Sequence, residues 1–205
     1  YPTGVPSRTE DDKSLQSWWT DPTASPGGAW FTHADHAIDF TRWVWGTEVA
    51  EVMADMRNLR HKDWANEDYG VAHYVMEDGA TLLVHSDGIS PGARSRLDLN
   101  VYGSEGGMMF SWRPQANLRV WGAPSLGADV VEYKLDDSWD VAMGAMTQAW
   151  IEAAQTGAPP PQSGLDGLRV MEASLAAYES SAQEKRIRLR QIHGRPGETR
   201  GGITL

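Results

Sequence analysis

The 205-residue chain contains no cysteine, which removes disulfides, thiolate nucleophiles and cysteine-ligated zinc together. Positive charge is scarce: 18 Lys and Arg stand against 28 Asp and Glu, a net charge of -10. That balance argues against a general nucleic-acid role, because phosphate binding needs a basic field. Long apolar runs are missing too, and nothing approaches the roughly 20 residues of a membrane span. Tyr1-Pro2-Thr3-Gly4 has neither the basic nor the apolar region of a signal peptide. There is no P-loop, no G-x-G-x-x-G, no zinc motif and no internal repeat. These absences leave a soluble, cytoplasmic protein without metal, contacting no nucleic acid and no membrane, and suited to a neutral or weakly charged small molecule. The chain opens on Tyr1 rather than Met, as a fragment or processed product would.

What is present describes a globular fold. Apolar residues make up 40% and charged residues 22%, and the length suits one domain over residues 1–205. The first thirty residues, rich in Pro, Gly, Ser, Thr and Asp, read as a loop lead-in. From Ala34 to Trp45 the positions Ala37, Ile38, Phe40, Trp43 and Val44 follow a helical period, and Gly46 is a natural stop. A β-rich middle follows, with strands expected at 48–56, 70–76, 80–86, 96–102, 107–112, 118–122 and 130–135. "EDGA" and "GSEGG" join them as hairpins, too short for parallel crossovers.

In "RLDLNVY" Leu97, Leu99 and Val101 share one face, while "MMFSW" is apolar on both. Two helical stripes follow, Met143-Met146-Trp150-Ala153 and Leu168-Met171-Leu175-Tyr178-Ala182, both read as core. "KRIRLR" reads as a last strand. The pattern is α+β, a largely antiparallel sheet of six or more strands with helices on one side.

The densest chemistry lies in "PGGAWFTHADHAIDFTRWVWG", residues 26–46. His36 and Asp39 are three apart, and Asp35 and Asp39 four apart, so a carboxylate can orient or tune an imidazole on this helix. An imidazole titrating near neutrality serves acid/base chemistry. The same residues also suit a plain structural role, with the aspartates favouring the helix N-terminus and His36 hydrogen-bonded in the core. His33, Asp35 and His36 lack a second ligand cluster for a metal.

The stretch from Ser17 to Gly46 resembles the C-terminal domain of the Gfo/Idh/MocA oxidoreductases, the glucose-fructose oxidoreductase and inositol dehydrogenase family. Members read W-R-x-D-P, then G-G-G, then D-x-G-x-H-x-x-D, then R-W-x-x-G. Trp19, Asp21 and Pro22 match the first piece and Gly27 and Gly28 the second. His36 and Asp39 match the third, and Arg42, Trp43 and Gly46 the fourth. "EDGAT", "LNVYGSEGG" and "SGLDGLRVMEASLAAYESS" extend the likeness over nearly the whole chain.

The resemblance implies an open-faced antiparallel sheet whose free face builds a homo-oligomer. It also implies an N-terminal Rossmann domain, not found in these residues, that holds NAD or NADP and supplies a Lys from a Glu-Lys-Pro motif. This chain alone should bind no cofactor. The implied role is the substrate-binding and oligomerisation domain of an NAD(P)-dependent oxidoreductase acting on a CH–OH group of a sugar, inositol or related polyol. The alternatives are a non-catalytic sugar-binding or assembly domain, and a redox-neutral, NAD-dependent glycoside-cleaving enzyme of the same superfamily.

His36 occupies the family's proton-handling position. The family Asp four residues earlier falls on Thr32, which can hydrogen-bond a hydroxyl but cannot carry a proton as a carboxylate does. Three possibilities follow: His36 works with the Lys of the other domain, Asp35 substitutes, or the activity has changed. Trp19, Asp39, Arg94 and Ser95 are the candidate substrate contacts; for Trp19 the alternative is a plug at the core edge, and for Arg94 and Ser95 a solvated turn.

Overall fold

The computed structural model describes residues 20–87, 97–112, 116–122, 129–135 and 139–189. They fall in two compact units, one holding residues 20–87 with 162–189 and the other holding residues 97–161.

The first unit contains helix α1 (Ala29–Trp45), strands β1 (Val49–Arg57), β2 (Tyr69–Met76) and β3 (Thr81–Asp87), helix α3 (Gly164–Gln183) and the short strand β8 (Ile187–Arg188). Its sheet runs β3-β2-β1-β8, antiparallel throughout. In β2, burial alternates strictly: Gly70, Ala72, Tyr74 and Met76 lie inside, and Tyr69, Val71, His73 and Val75 are half-buried on the other face. That period of two makes the sheet a layer with one dry side. "EDGA" forms the β2–β3 turn, where the Met76 N–H donates to the Ala80 carbonyl at 2.8 Å.

Helices α1 and α3 cover the dry side. Trp30, Ala34 and Ile38 of α1 meet Val52, Ala72, Tyr74, Met76 and Val84 of the sheet and Ala173, Ala176 and Ala177 of α3. Each large side chain buried this way contributes about 1.5–3 kcal/mol. Helix α1 ends at Gly46, whose φ of 68° is the left-handed conformation that a helix stop uses and that glycine adopts without strain. Its start is five residues earlier than the apolar period indicates.

The buried face of α3 also differs from expectation. Leu168 and Leu175 are 43% and 48% exposed, whereas Val170, Ala173, Ser174, Ala176, Ala177 and Ser180 are buried. Small residues let the helix approach the sheet closely enough for its hydroxyls to reach backbone. Beyond the two residues that β1 pairs with β8, the Ala54 and Met56 N–H groups donate to Ser180 Oγ and Ser181 Oγ at 3.0 and 2.9 Å. Serines on a helix thus continue a sheet edge, which a search for apolar residues overlooks.

The second unit contains strands β4 (Asp98–Tyr102), β5 (Gly107–Ser111), β6 (Asn117–Trp121) and β7 (Val130–Lys134) and helix α2 (Trp139–Thr156). The four strands form an antiparallel meander in chain order. Leu99 and Val101 are half-buried while Asp98, Asn100 and Tyr102 are exposed, the alternation read from "RLDLNVY". Of the expected α2 stripe, Ala153 is buried, but Met146 and Trp150 are 48% and 46% exposed. The fold class is α+β with antiparallel pairing, and among the described residues eight strands form two ladders of four. Short hairpins specify neighbours within each ladder.

Candidate functional site

The site is assembled on α1. Its apolar stripe Trp30-Ala34-Ile38 with Thr41 and Arg42 is buried, so helical geometry turns Thr32, His36, Asp39 and Trp43 to the opposite side. The His36 side chain is 75% exposed. Asp35 Oδ1 accepts the His36 backbone N–H at 2.8 Å and lies 4.0 Å from His36 Nε2. The aspartate is therefore tied to the backbone of the residue whose ring it faces.

Thr32 and His33 form a second small network. The Thr32 hydroxyl donates to the Gly28 carbonyl at 2.9 Å and lies 2.9 Å from His33 Nδ1, which is 3.1 Å from the Ala29 carbonyl. With Thr32 donating to Gly28, the network assigns the imidazole proton to Nδ1, between the two oxygens. Burial lowers the His33 pKa from its ordinary value; the bond to Ala29 opposes this, His36 adds to it and Asp35 opposes it. His33 is the imidazole held neutral, and His36 is the one held out to solvent.

Asp39 belongs to a framework around Arg42. Its Oδ2 accepts from Gln162 Nε2 at 2.5 Å, and its Oδ1 lies 3.5 Å from Arg42 Nη1. Arg42, 1% exposed, also reaches Glu48 and the Asp166 carbonyl. The R-W-x-x-G arginine is thus an anchor of the helix end. Trp19, Arg94 and Ser95 lie outside the described residues; of the other four candidates, all on α1, Asp35 lies beside His36, while Thr32 and Asp39 bond to other partners.

A residue that the sequence reading passed over holds the other end. Glu67, between β1 and β2, is 6% exposed. Its Oε1 accepts the Gly28 and Trp30 N–H groups, both at 2.8 Å, and its Oε2 accepts Gly28 at 2.9 Å. The Ala29 N–H donates to its backbone carbonyl at 3.0 Å, and the Tyr178 hydroxyl donates to Oε1 at 2.9 Å. Burial pushes the Tyr178 phenol far above its usual range; the Glu67 charge and bond push the same way, while backbone N–H groups of Phe31 and Gly28 oppose them. A carboxylate at a helix N-terminus satisfies orphan donors and complements the dipole.

This close approach explains the glycine pair. A Cβ on Gly28 would stand 2.0 Å from the Glu67 carbonyl oxygen, and one on Gly27 would stand 1.9 Å from the Tyr178 oxygen. The available signal was indirect: a glycine at the N-cap of a strong helix implies that a distant residue does the capping.

Glu67 is presented by a loop closed on Asp68. Asp68 is fully buried and accepts the N–H groups of Leu59, Arg60 and His61 at 2.7, 3.0 and 2.7 Å. Burial raises its pKa, but the His61, Leu59 and Arg60 N–H groups and the His61 ring outweigh that and hold the carboxyl below its ordinary value. The His61 ring stacks on Trp64 at 3.8 Å. Among the described residues no group of three or more His, Cys, Asp or Glu could hold a metal, and no helix is long and apolar enough to cross a membrane.

A model of the GFO/IDH/MocA C-terminal domain matches residues 3–109. A levoglucosan dehydrogenase solved with NADH and levoglucosan superposes with a TM-score of 0.76 at 18% identity, over 86% of this chain and 54% of its own. The aldose-aldose oxidoreductase of Caulobacter crescentus, complexed with glycerol, gives 0.70 at 18% identity, over 85% and 51%. The WlbA dehydrogenase of Bordetella pertussis, in complex with NADH and UDP-GlcNAcA, gives 0.65 at 20% identity, over 90% and 52%. At such identities the likeness is one of fold. The chain spans about half the length of these solved structures. No curated protein matches it in sequence.

Proposed function

Because the chain belongs to the Gfo/Idh/MocA oxidoreductase family through its C-terminal domain, we propose that it forms the substrate-binding and oligomerisation half of an NAD(P)-dependent dehydrogenase of a sugar, inositol or related polyol. The observation that carries the reading is the exposure of His36 on the outward stripe of α1, while Arg42 and Glu67 hold the two ends of that helix. Relatives solved with NADH and with levoglucosan or glycerol support the substrate class.

Oxidising a carbinol removes a hydride from carbon and a proton from oxygen. The hydride is the share of NAD or NADP, bound mainly by another part of the intact protein. The glycine pair opening α1 does not fit the dinucleotide's pyrophosphate, since its Gly28 N–H already holds the Glu67 carboxylate. The proton is this chain's share: His36 Nε2 takes it from the substrate hydroxyl, with Asp35 beside the ring. Thr32 orients a substrate hydroxyl, and Asp39 acts at the rim of the same stripe. Trp19, Arg94 and Ser95 complete the substrate contacts. Self-association proceeds through the exposed face of β4, with Asn100 and Tyr102, the latter 75% exposed. Sedimentation at high protein concentration tests that step, and a strict monomer would refute it.

One observation favours a second reading, a non-catalytic sugar-binding domain: Thr32 stands in place of a carboxylate, and its hydroxyl is engaged by Gly28 and His33. The two readings part on His36→Ala in the intact protein, assayed against a panel of sugars and polyols with NAD and NADP. The dehydrogenase reading expects kcat to fall by roughly 10²-fold or more. Unchanged kcat and KM with an intact fold would remove the imidazole from the chemistry.

A further inference from the structure

Helix α1 lacks a side-chain cap of its own, because its N-cap residue is Gly28. Three successive N–H groups, those of Gly28, Ala29 and Trp30, instead end on Glu67, with the first and third on its carboxylate and the second on its carbonyl. A local cap would stabilise the helix wherever it lay. A cap from 39 residues away also fixes where the helix starts relative to the sheet. The same carboxylate takes the Tyr178 hydroxyl from α3, so one side chain references α1 to β1, β2 and α3 together.

The block presenting Glu67 has little freedom. Asp68 gathers three N–H groups of the loop, and Asn58 Nδ2 lies within 3.0 Å of the His61, Trp64 and Asn66 carbonyls. Asn66 Nδ2 donates to the Ser25 carbonyl at 3.2 Å, and Ser25 Oγ donates to the Gly27 carbonyl at 2.6 Å. The segment entering α1 is thereby tied to the same loop from both sides of the glycines.

Resting on the reading of His36 above, we infer that Glu67 is a positioning residue for His36, setting the axial and rotational register of α1 through its capping contacts and through Tyr178. His36 lies about two turns, roughly 10–12 Å, beyond the cap along the helix. The backbone between them is continuous α-helix, so a shift at the cap would be delivered to the imidazole. A misplacement of about 1 Å is enough to cost up to roughly 10²-fold in rate.

The test is a mutant cycle in the intact protein: Glu67→Gln alone, His36→Ala alone, and both together. Gln keeps an acceptor for the Trp30 N–H and the Tyr178 hydroxyl but sets an N–H₂ group against the Gly28 N–H. Expected is a loss of about tenfold in kcat with KM within about threefold, and no further loss when His36 is already alanine. Amide exchange at Gly28 and Trp30 should quicken in parallel. An equal loss in both backgrounds, or none where His36→Ala alone is damaging, overturns the positioning role and leaves the proposed function standing. No loss for His36→Ala alone overturns both. If Glu67→Gln fails to fold, Tyr178→Phe, which leaves the carboxylate on its N–H groups, is read through the same cycle. A loss of about threefold that disappears in the His36→Ala background supports the role, and an additive one ends it.

Discussion

The buried guanidinium of Arg42 grips Glu48 with two prongs, Nε to Oε2 at 2.6 Å and Nη2 to Oε1 at 2.7 Å. Its third nitrogen donates to the Asp166 carbonyl at 3.1 Å. The C-terminal turn of α1 is thereby joined to the start of β1 and to the first turn of α3, as Glu67 joins its N-terminal turn to the loop. The helix is pinned at both ends by charged side chains, with its apolar stripe between them.

Arg42→Ala should destabilise the protein by about 3 kcal/mol, because it strips a buried cation from Glu48, Asp39 and Asp166 together. Glu48→Gln should cost only about 1 kcal/mol, since Arg42 keeps its other partners and an amide oxygen. Urea unfolding of the two variants measures the difference. Equal costs would mean that the guanidinium does not anchor the helix end.

Two glycine substitutions should move stability in opposite directions. A methyl on Gly28 meets the Glu67 backbone, which cannot rotate away, so Gly28→Ala should cost roughly 2–3 kcal/mol. Gly144, inside α2, has nothing among the described residues within 4 Å of an added Cβ, so Gly144→Ala should stabilise by about 0.5–1 kcal/mol through the unfolded chain's entropy. Thermal unfolding reads both. A neutral Gly28→Ala would show that the cap can yield.

His33 predicts the acid side of the stability curve. Its pKa is lowered in the folded protein, chiefly by burial, so near and below the ordinary value of about 6.5 the unfolded chain binds more protons. The stability this neutral imidazole contributes is complete above that pH and falls away as pH drops through the folded value. His33→Gln should flatten this part of the curve in denaturant unfolding between pH 7 and 5. An unchanged slope would place the proton uptake elsewhere. Asp68, also lowered, acts lower down, losing its contribution as pH falls below its ordinary value of about 4.

Period and punctuation made much of this fold legible. Ile38 and Gly46 mark the body and end of α1, though Trp43 and Val44 of the same apolar period are exposed, and "EDGA" marks a hairpin found where expected. Long-range polar capping left no such trace. Glu67 sits in "NEDY", which reads like any acidic turn, and its value depends on Gly28 arriving 39 residues away. The same holds for Ser180 and Ser181, which act as sheet-edge partners from within a helix. Apolar-stripe reasoning placed the helix α3 but misread its buried face, favouring Leu168 and Leu175 over the alanines, because it weighs side-chain size and overlooks how closely small residues let a helix approach. At the site, motif spacing located His36 and Asp39, but only the contacts separate an exposed imidazole from a carboxylate bound into the Arg42 framework.

The missing family carboxylate leads to the last prediction. Thr32 cannot replace it, since its hydroxyl already donates to the Gly28 carbonyl and a hydroxyl does not titrate near neutrality. Asp35 is the carboxylate beside the ring, 4.0 Å from His36 Nε2 and held by the His36 N–H. In the intact protein, Asp35→Asn keeps an oxygen for that N–H while removing the charge. It should lower kcat by roughly tenfold and alter its pH profile, as loss of a group coupled to the proton carrier does. Thr32→Val, which removes a hydroxyl able to meet the substrate, should mainly raise KM and leave the kcat profile in place. Steady-state kinetics across pH for both variants separates the two. A normal profile in Asp35→Asn would mean that His36 works without the Asp35 carboxylate.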